Sequence, residues 1–550
     1  MRTWRYKSRP LAGLNYLSGH EHLRYFGGEM RKAGKGQPDY EINRINQKQI
    51  EVKRDRMKIK IKMLIAGESH GKKGSHGTGP GRGQGEGNMQ DGVKLKVRPF
   101  MKRVENSLAA VVAVILTMAA VSLVASGLPN LLNLLNPELQ AARNSRSISS
   151  SQTDKPGVVV IKAGKILTMA GQPIKQGLII IEGQNIKAIG KNLPIPDGAE
   201  IIDEPEAWVL PGLIDANSAL GMVDERGQSE NEELSEPNVA QLDVLDGLYP
   251  FDKRIAQSRA SGITTALICP GRRSVIGGQA AVVRLIGKTV EEMKILAPAG
   301  VKFSIGEGPK QAFGSKGRLP STRMGNIYVI RQALQEAREY ASKWADYDKG
   351  LAQAKKGKKN TADLQPPRRD LRLEPLAKVV MGELPAFIEC YRMDDISGAI
   401  RLVDEFKLKA VFIGCAEGYL VAGEISKRGI PVIVGPMGIG PKRTETENVA
   451  ISNAARLHKA GVKIALESET QYGLAALEEL PLVAALAVRG GLGEEEALKA
   501  ITINAAEIIG AGDKIGSLEP GKQADLVIFS GNPLDYQTRV KKVMIAGKLI

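Results

Sequence analysis

Hydrophobic and polar positions divide the chain into stretches of different period. Over 157–210, short apolar runs at 158–161, 165–169, 177–182, 186–190 and 199–202 alternate with turn residues, which predicts a small antiparallel sheet. From Trp208 to about Ile509, short β-branched runs (263–269, 410–413, 431–434, 462–466) alternate with amphipathic stretches of helical period (396–406, 419–428, 494–501). That alternation predicts parallel strands with crossover helices, hence an α/β barrel. Residues 516–550 return to short strands and turns. A charged helical excursion occupies about 331–385, with a Lys-rich tip at 355–359 and Pro366-Pro367.

Upstream, the pattern is that of a processed segment. Met101-Lys102-Arg103 precedes an apolar run at 108–125, and Val124-Ala125-Ser126 is a small-residue cleavage site before Gly127. The run is close to the ~20 residues that span a bilayer, so the alternative to a cleaved signal is a membrane anchor at 107–126. Either way, the C-terminal body is exported, to the periplasm or the extracellular space. Met101 also has the features of a translation start, which would leave residues 1–100 untranslated. The domain plan is then a basic Gly-rich leader (1–100), signal or anchor (101–126), linker (127–156), a first sheet part (157–210), the barrel (211–510) and a second sheet part (511–550).

Composition changes the picture mainly through where charge and histidine fall. The 550 residues carry 77 Lys and Arg against 60 Asp and Glu, a formal +17, and residues 1–100 alone hold 22 basic against 9 acidic residues. The body from Gly127 onward is therefore nearly neutral, and no nucleic-acid partner is expected for the folded domain. The leader's glycine run at 71–87 lacks the Gly-Lys-Ser/Thr of a phosphate loop and reads as a solvated tail. Of five histidines, His20, His22, His70 and His76 lie in that leader, and only His458 lies in the body. Three cysteines exclude a disulfide framework.

Several separated motifs carry a resemblance. The stretch Val209-Leu210-Pro211-Gly212-Leu213-Ile214-Asp215-Ala216, the run 274–279, Met393-Asp394-Asp395-Ile396 and the tail from Gly516 through Asp525 resemble the amidohydrolase superfamily, imidazolonepropionase-like branch, over roughly 157–550. The resemblance implies a TIM (β/α)8 barrel with a small β-sandwich built from both ends of the body, one or two divalent metals at the barrel mouth, and hydrolysis of non-peptide C–N bonds by a metal-bound water.

The same resemblance shows what is missing. The family's His-x-His on the first strand is Asn217 and Ala219 here, its fifth-strand His-Ala-His-Arg aligns with Glu389-Cys390-Tyr391-Arg392, and its sixth-strand histidine falls on Gly414 of Gly414-Cys415-Ala416-Glu417-Gly418. The eighth-strand Ser-Asp, whose Asp is the family's catalytic base, is Ser468-Glu469. Every ligand histidine is replaced, so no cofactor is expected, and the reading is a family member without metal-dependent hydrolase activity. It would serve as a partner subunit for an intact amidohydrolase paralogue, as a homo-oligomer, or as a binder of a small-molecule ligand. The alternative is a C–N hydrolase with a divalent metal held by Asp215, Glu389 and Glu469, since oxygen donors suit Mg, Ca or Mn. Without a cation, three such carboxylates are expected to repel and to titrate high, unless Arg392 or Lys463 pairs with the glutamates. Cys390 and Cys415 read as buried thiols on apolar strands, His458 as a helix-end histidine, and a Ser, Cys or Lys nucleophile would lack a histidine base.

Overall fold

The computed structural model describes residues 157–222, 229–356, 364–437, 443–468 and 480–550, all within one compact unit. The leader, the signal-like segment and Glu469 lie outside the described residues. Among the described residues, no helix is long and apolar enough to cross a membrane.

Among the described residues, fifteen strands form two sheets. The first contains β1 (Val158–Ile166), β2 (Ile174–Glu182), β3 (Asn185–Gly190), β4 (Glu200–Pro211), β13 (Leu526–Phe529), β14 (Val540–Ile545) and β15 (Lys548–Leu549), in the order β15-β14-β13-β4-β1-β2-β3. Both ends of the body build it, but it differs from the expected antiparallel sandwich in two ways. It is one continuous sheet, and β1 pairs with β4 in parallel. The runs expected at 158–161 and 165–169 largely merge into β1, whose register shifts between Ala163 and Lys165. The sheet curls so that its β3 edge meets the segment leading into β13: Ile186 N donates to Lys522 O at 2.9 Å, and Ala524 N donates to Gln184 O at 2.8 Å. Ile161, Ile179, Ile181, Val209, Leu526 and Met544 fill the inside of this curl.

The second sheet is the barrel: β5 (Leu213–Ser218), β6 (Ile263–Ile268), β7 (Ile276–Arg284), β8 (Lys294–Ser304), β9 (Ala386–Cys390), β10 (Ala410–Gly414), β11 (Val432–Val434) and β12 (Ile464–Leu466), hydrogen-bonded in sequence order. It departs from an all-parallel (β/α)8 barrel at one strand. β7 runs antiparallel to both β6 and β8, because the motif at 274–279 opens a hairpin-like excursion in place of a crossover helix. The expected helix at 419–428 is a 3-10 turn, Gly418–Leu420, and a short helix, Ala422–Ser426. The excursion at 331–385 continues a helix that begins earlier, Arg323–Lys355, followed by Leu373–Val380.

Strand periodicity builds the core. Side chains alternate between faces, so Phe387, Val411, Ile413, Ile433 and Ala465 fill the barrel interior while Ile388, Phe412, Val432, Val434 and Leu466 pack against the helices. Between β12 and β5, where no strand ladder closes the ring, the segment after the helix Glu494–Ala500 lies alongside both edges. Ile214 N donates to Ile501 O at 2.9 Å, and Asn504 Nδ2 to Ile464 O at 3.2 Å.

Two motif residues quoted above have structural roles here. Gly212 carries the chain from β4 into β5, where a Cβ would stand 2.1 Å from Thr264 Oγ1. Asp525 is buried at the entry to β13, and its Oδ1 accepts from Ala546 N at 2.5 Å, tying β13 to the turn before β15. Burial pushes the Asp525 carboxyl up to about 6, against the opposing effects of the Ala546 bond and Arg284. A raised carboxyl pKa favours the fold while protonated. That contribution is full below about 3.8 and is lost as pH rises through about 6. The loss amounts to about 3 kcal/mol for a shift of roughly two units. Asp525→Asn, neutral at every pH, is expected to flatten this fall in urea unfolding between pH 4 and 7. Parallel wild-type and variant profiles would show that Asp525 does not titrate in this way.

Candidate functional site

The carboxyl ends of the barrel strands carry a polar cluster. On β8, Val301 and Phe303 face the helices, so period-2 alternation turns Lys302 and Ser304 inward. Lys302 is paired in register with Phe387, and Glu389 lies two residues further along β9 on the same face, which makes the two side chains diagonal neighbours. Lys302 Nζ lies 2.7 Å from Glu389 Oε2 and donates to Pro270 O at 3.1 Å, and Lys302 and Glu389 are 0% and 2% exposed. Tyr391, the next inward residue, donates its hydroxyl to Glu389 Oε1 at 2.6 Å.

The electrostatics of the pair follow from its geometry. Burial alone would raise the Glu389 carboxyl. Lys302 outweighs it, with help from Arg272 and the Tyr391 hydroxyl, and holds Glu389 below the usual carboxylate range. Burial alone would lower the Lys302 ammonium, but Glu389, Cys269 and Glu467 together outweigh this and raise it. Both partners are therefore charged at neutral pH. The Glu389 contribution is lost as pH falls through its depressed pKa, and that of Lys302 as pH rises through its elevated one.

The remaining inward groups complete the cluster. Glu467, directly after β12, accepts from Asn217 Nδ2 at 2.5 Å and stands over Gly435, where a Cβ would fall 2.0 Å from Glu467 Oε1. Asp215 accepts from Ser468 N at 3.2 Å and Ser468 Oγ at 2.6 Å. These bonds join β5 to the end of β12, so site residues also close the barrel. Burial raises the Asp215 carboxyl, opposed by the Ser468 bonds. Cys269, after β6, is pushed up to about 12 by burial, with Lys302 opposing and Glu389, Glu467 and Asp215 adding to the rise.

These positions correct several expectations. Glu389 pairs with neither candidate cation: Arg392 bonds Asp394, and Lys463 bonds Glu507. The carboxylates do not all titrate high, because Lys302 lies beside Glu389. Asp215 and Glu389 each have hydrogen-bonding partners, and the expected third member of their site, Glu469, is outside the described residues. His458 is exposed in the last turn of the helix Asn453–Lys459. Lys302 and Glu467 were missed, although each leaves a signal: a single charge interrupting an apolar strand (300–305) and one directly ending another (464–467).

The matching family model is the amidohydrolase family, over residues 419–550. A crystal structure of an amidohydrolase from Thermotoga maritima MSB8 is 34% identical, with a TM-score of 0.65, and its alignment covers 71% of this chain and 99% of that one. The chain belongs to the amidohydrolase family. Amidohydrolase tasK of Hapsidospora irregularis is 24% identical over 392 residues, which span 68% of this chain and 39% of that protein. An imidazolonepropionase from Geobacillus kaustophilus is 49% identical over 80 residues, 14% of this chain and 19% of that enzyme. The chain thus spans well under two thirds of the length of either relative.

The residues that the sequence resemblance aligns with the family's metal-ligand positions include two without a donor atom and one paired carboxylate. Ala219 and Gly414 offer no donor, and Glu389 is neutralised by an ammonium group. Tyr391 and Gly414 also interlock: Gly414 has φ +88, and a Cβ there would lie 2.7 Å from Tyr391 Cε1. The tyrosine ring fills the space into which a side chain on the sixth strand would begin to grow. Among the described residues, no group of three or more His, Cys, Asp or Glu side chains is arranged to hold a metal ion.

Other family-like residues in this amidohydrolase have structural partners. Glu417 accepts from Met393 N at 2.8 Å, capping the helix Met393–Phe406, and from Asn448 Nδ2 at 2.8 Å. Asp395 accepts from Arg323 Nε at 2.8 Å and joins that helix to Arg323–Lys355. Removing one member of the central pair strands a buried charge, so Glu389→Gln and Lys302→Met should each cost roughly 3–5 kcal/mol in denaturant unfolding. The double variant Lys302→Met/Glu389→Leu should lose far less than the sum of the two single losses. Strict additivity would mean that the two groups do not interact.

Proposed function

We propose that this amidohydrolase-fold chain is exported and does not hydrolyse by a metal-bound water, acting instead as a non-catalytic partner subunit for an intact amidohydrolase or for a second copy of itself. The observation that carries this reading is the Lys302–Glu389 pair, a cation built into the chain at the centre of the mouth and fully buried there. A fixed ammonium neutralises a carboxylate but cannot generate a hydroxide from water as a bound metal does. Exposed apolar side chains favour a subunit over a free-standing binder. Met324 and Tyr328, one turn apart on the helix Arg323–Lys355, are 80% and 52% exposed, and Met393 at the start of the neighbouring helix is 42% exposed.

The deciding measurement is metal content after purification without chelator. The chain is expected to carry only substoichiometric metal and to be inert toward cyclic and linear amides with or without added Zn or Mn. Near-stoichiometric metal that is lost in Glu389→Gln and Glu469→Gln would overturn the proposal in favour of a carboxylate-ligated C–N hydrolase. Co-elution with an intact paralogue, or a dimer of the chain itself, is expected of a subunit. A monomer in both preparations would remove that role.

Export rests on the segment 101–126 and is read from the N-terminus of the protein recovered from fractionated cells. A mature end at Gly127 in the periplasmic or extracellular fraction is expected from cleavage after Ser126. A membrane-bound chain retaining 107–126 would replace the cleaved signal with an anchor. A cytoplasmic chain bearing peptides from 1–100 would remove export altogether.

A further inference from the structure

Two of the chain's three cysteines meet in the barrel wall. Cys390 ends β9 and Cys415 follows β10, two neighbouring parallel strands in which Cys390 is the register partner of Gly414. Cys415 N donates to Cys390 O at 2.7 Å, and the two sulfurs lie 4.0 Å apart. Both side chains are fully buried. Adjacent strands run about 4.8 Å apart, which puts the two residues within the Cα separation that disulfides span. Closing the gap to the bonded distance of about 2.05 Å needs side-chain rotation with little movement of either strand.

We propose that Cys390 and Cys415 are a covalent modification site, joined as a cross-strand disulfide when the chain folds in an oxidising compartment, with Cys269 remaining a free thiol. The compartment rests on the export proposed above, whereas the pairing rests on geometry alone. In the reaction, both S–H bonds break and one S–S bond forms. Two protons leave, and two electrons pass to a low-molecular-weight disulfide such as oxidised glutathione, which becomes two thiols.

Burial sets when this can happen. Exchange needs an accessible thiolate, but burial and the neighbouring Cys415 raise the Cys390 thiol well above its ordinary range. Once β9 and β10 have packed, the pair is shielded both from oxidation and from reduction. The bond therefore forms before the wall closes and persists afterwards.

The position links the bond to the site. Cys390 lies between Glu389 and Tyr391, which face inward while it faces the helical layer. Cys415 follows Gly414, whose missing side chain makes room for the Tyr391 ring, and it is held at φ +48, a conformation that non-glycine residues rarely adopt. A bond at this point would hold the strand ends that present the Glu389 carboxylate and the tyrosine ring.

The test refolds the full chain with oxidised and reduced glutathione and, separately, with excess dithiothreitol, then counts thiols in denaturant and maps cross-linked peptides by mass spectrometry. Expected after oxidative refolding is a mass lower by about 2 Da, one reactive thiol in place of three, and a 390–415 cross-linked peptide. Cys269→Ser should keep the cross-link, and Cys415→Ser should abolish it. Three reactive thiols in oxidatively refolded chain with native circular dichroism would overturn the proposal, as would a cross-link that involves Cys269. Because the experiment is done in vitro, a cytoplasmic location would remove the compartment from the proposal and leave the pairing itself tested.

Discussion

The constraint on which the rest of this structure depends is that the desolvated centre of the barrel must be electrically balanced. A buried carboxylate without a partner costs several kcal/mol, and this mouth gathers Asp215, Glu389 and Glu467. In a metal-bearing relative, a divalent cation would offset such charge. Here the balance comes from within the chain: the Lys302 ammonium and the Tyr391 hydroxyl on Glu389, Ser468 on Asp215, and the Asn217 amide on Glu467. Because Lys302 is placed by the register of β8 against β9, a slip of one residue would turn it into the helical layer and leave Glu389 alone. The ion pair and the barrel's strand alignment therefore require each other.

Residues that carry the family resemblance have structural roles. Gly212, Asp395, Glu417 and Asp525 each have a partner or a close contact that the fold needs: a strand crossing, a helix bracket, a helix cap and a turn. The resemblance aligns Asn217, Ala219, Tyr391 and Gly414 with metal-ligand positions. The ring of Tyr391 lies where a side chain on residue 414 would begin.

Much of the fold was legible in the sequence because it rests on local periodicity. The runs at 263–269, 410–413, 431–434 and 462–466 are barrel strands, as their β-branched composition between turn signals predicts. Where reading failed, a non-local interaction decided the outcome. The antiparallel course of β7 and the parallel pairing of β1 with β4 depend on which strand lies alongside, and no local pattern records that. Motif alignment directs attention to the positions where the resemblance expects metal donors. It carries no information about Lys302, which lies 87 residues before Glu389 in the chain and meets it only across two strands. A lone lysine in an apolar strand is the one sequence signal of that pair, and it becomes informative only once the strand is known to face inward.

The persistence of charge at the centre bears on what the barrel is for. A buried ion pair can often be replaced by apolar side chains of similar volume with no loss of stability, or with a gain. If stability alone governed this site, an apolar plug of the kind formed by Phe387 and Val411 one layer below would serve as well. The mouth instead keeps four ionisable side chains whose partners lie on different strands. An apolar plug tolerates sliding, whereas paired charges do not, so the polar centre fixes the mutual positions of β5, β8, β9 and β12 more tightly than packing would. What such a centre supplies is a single geometry at the barrel mouth.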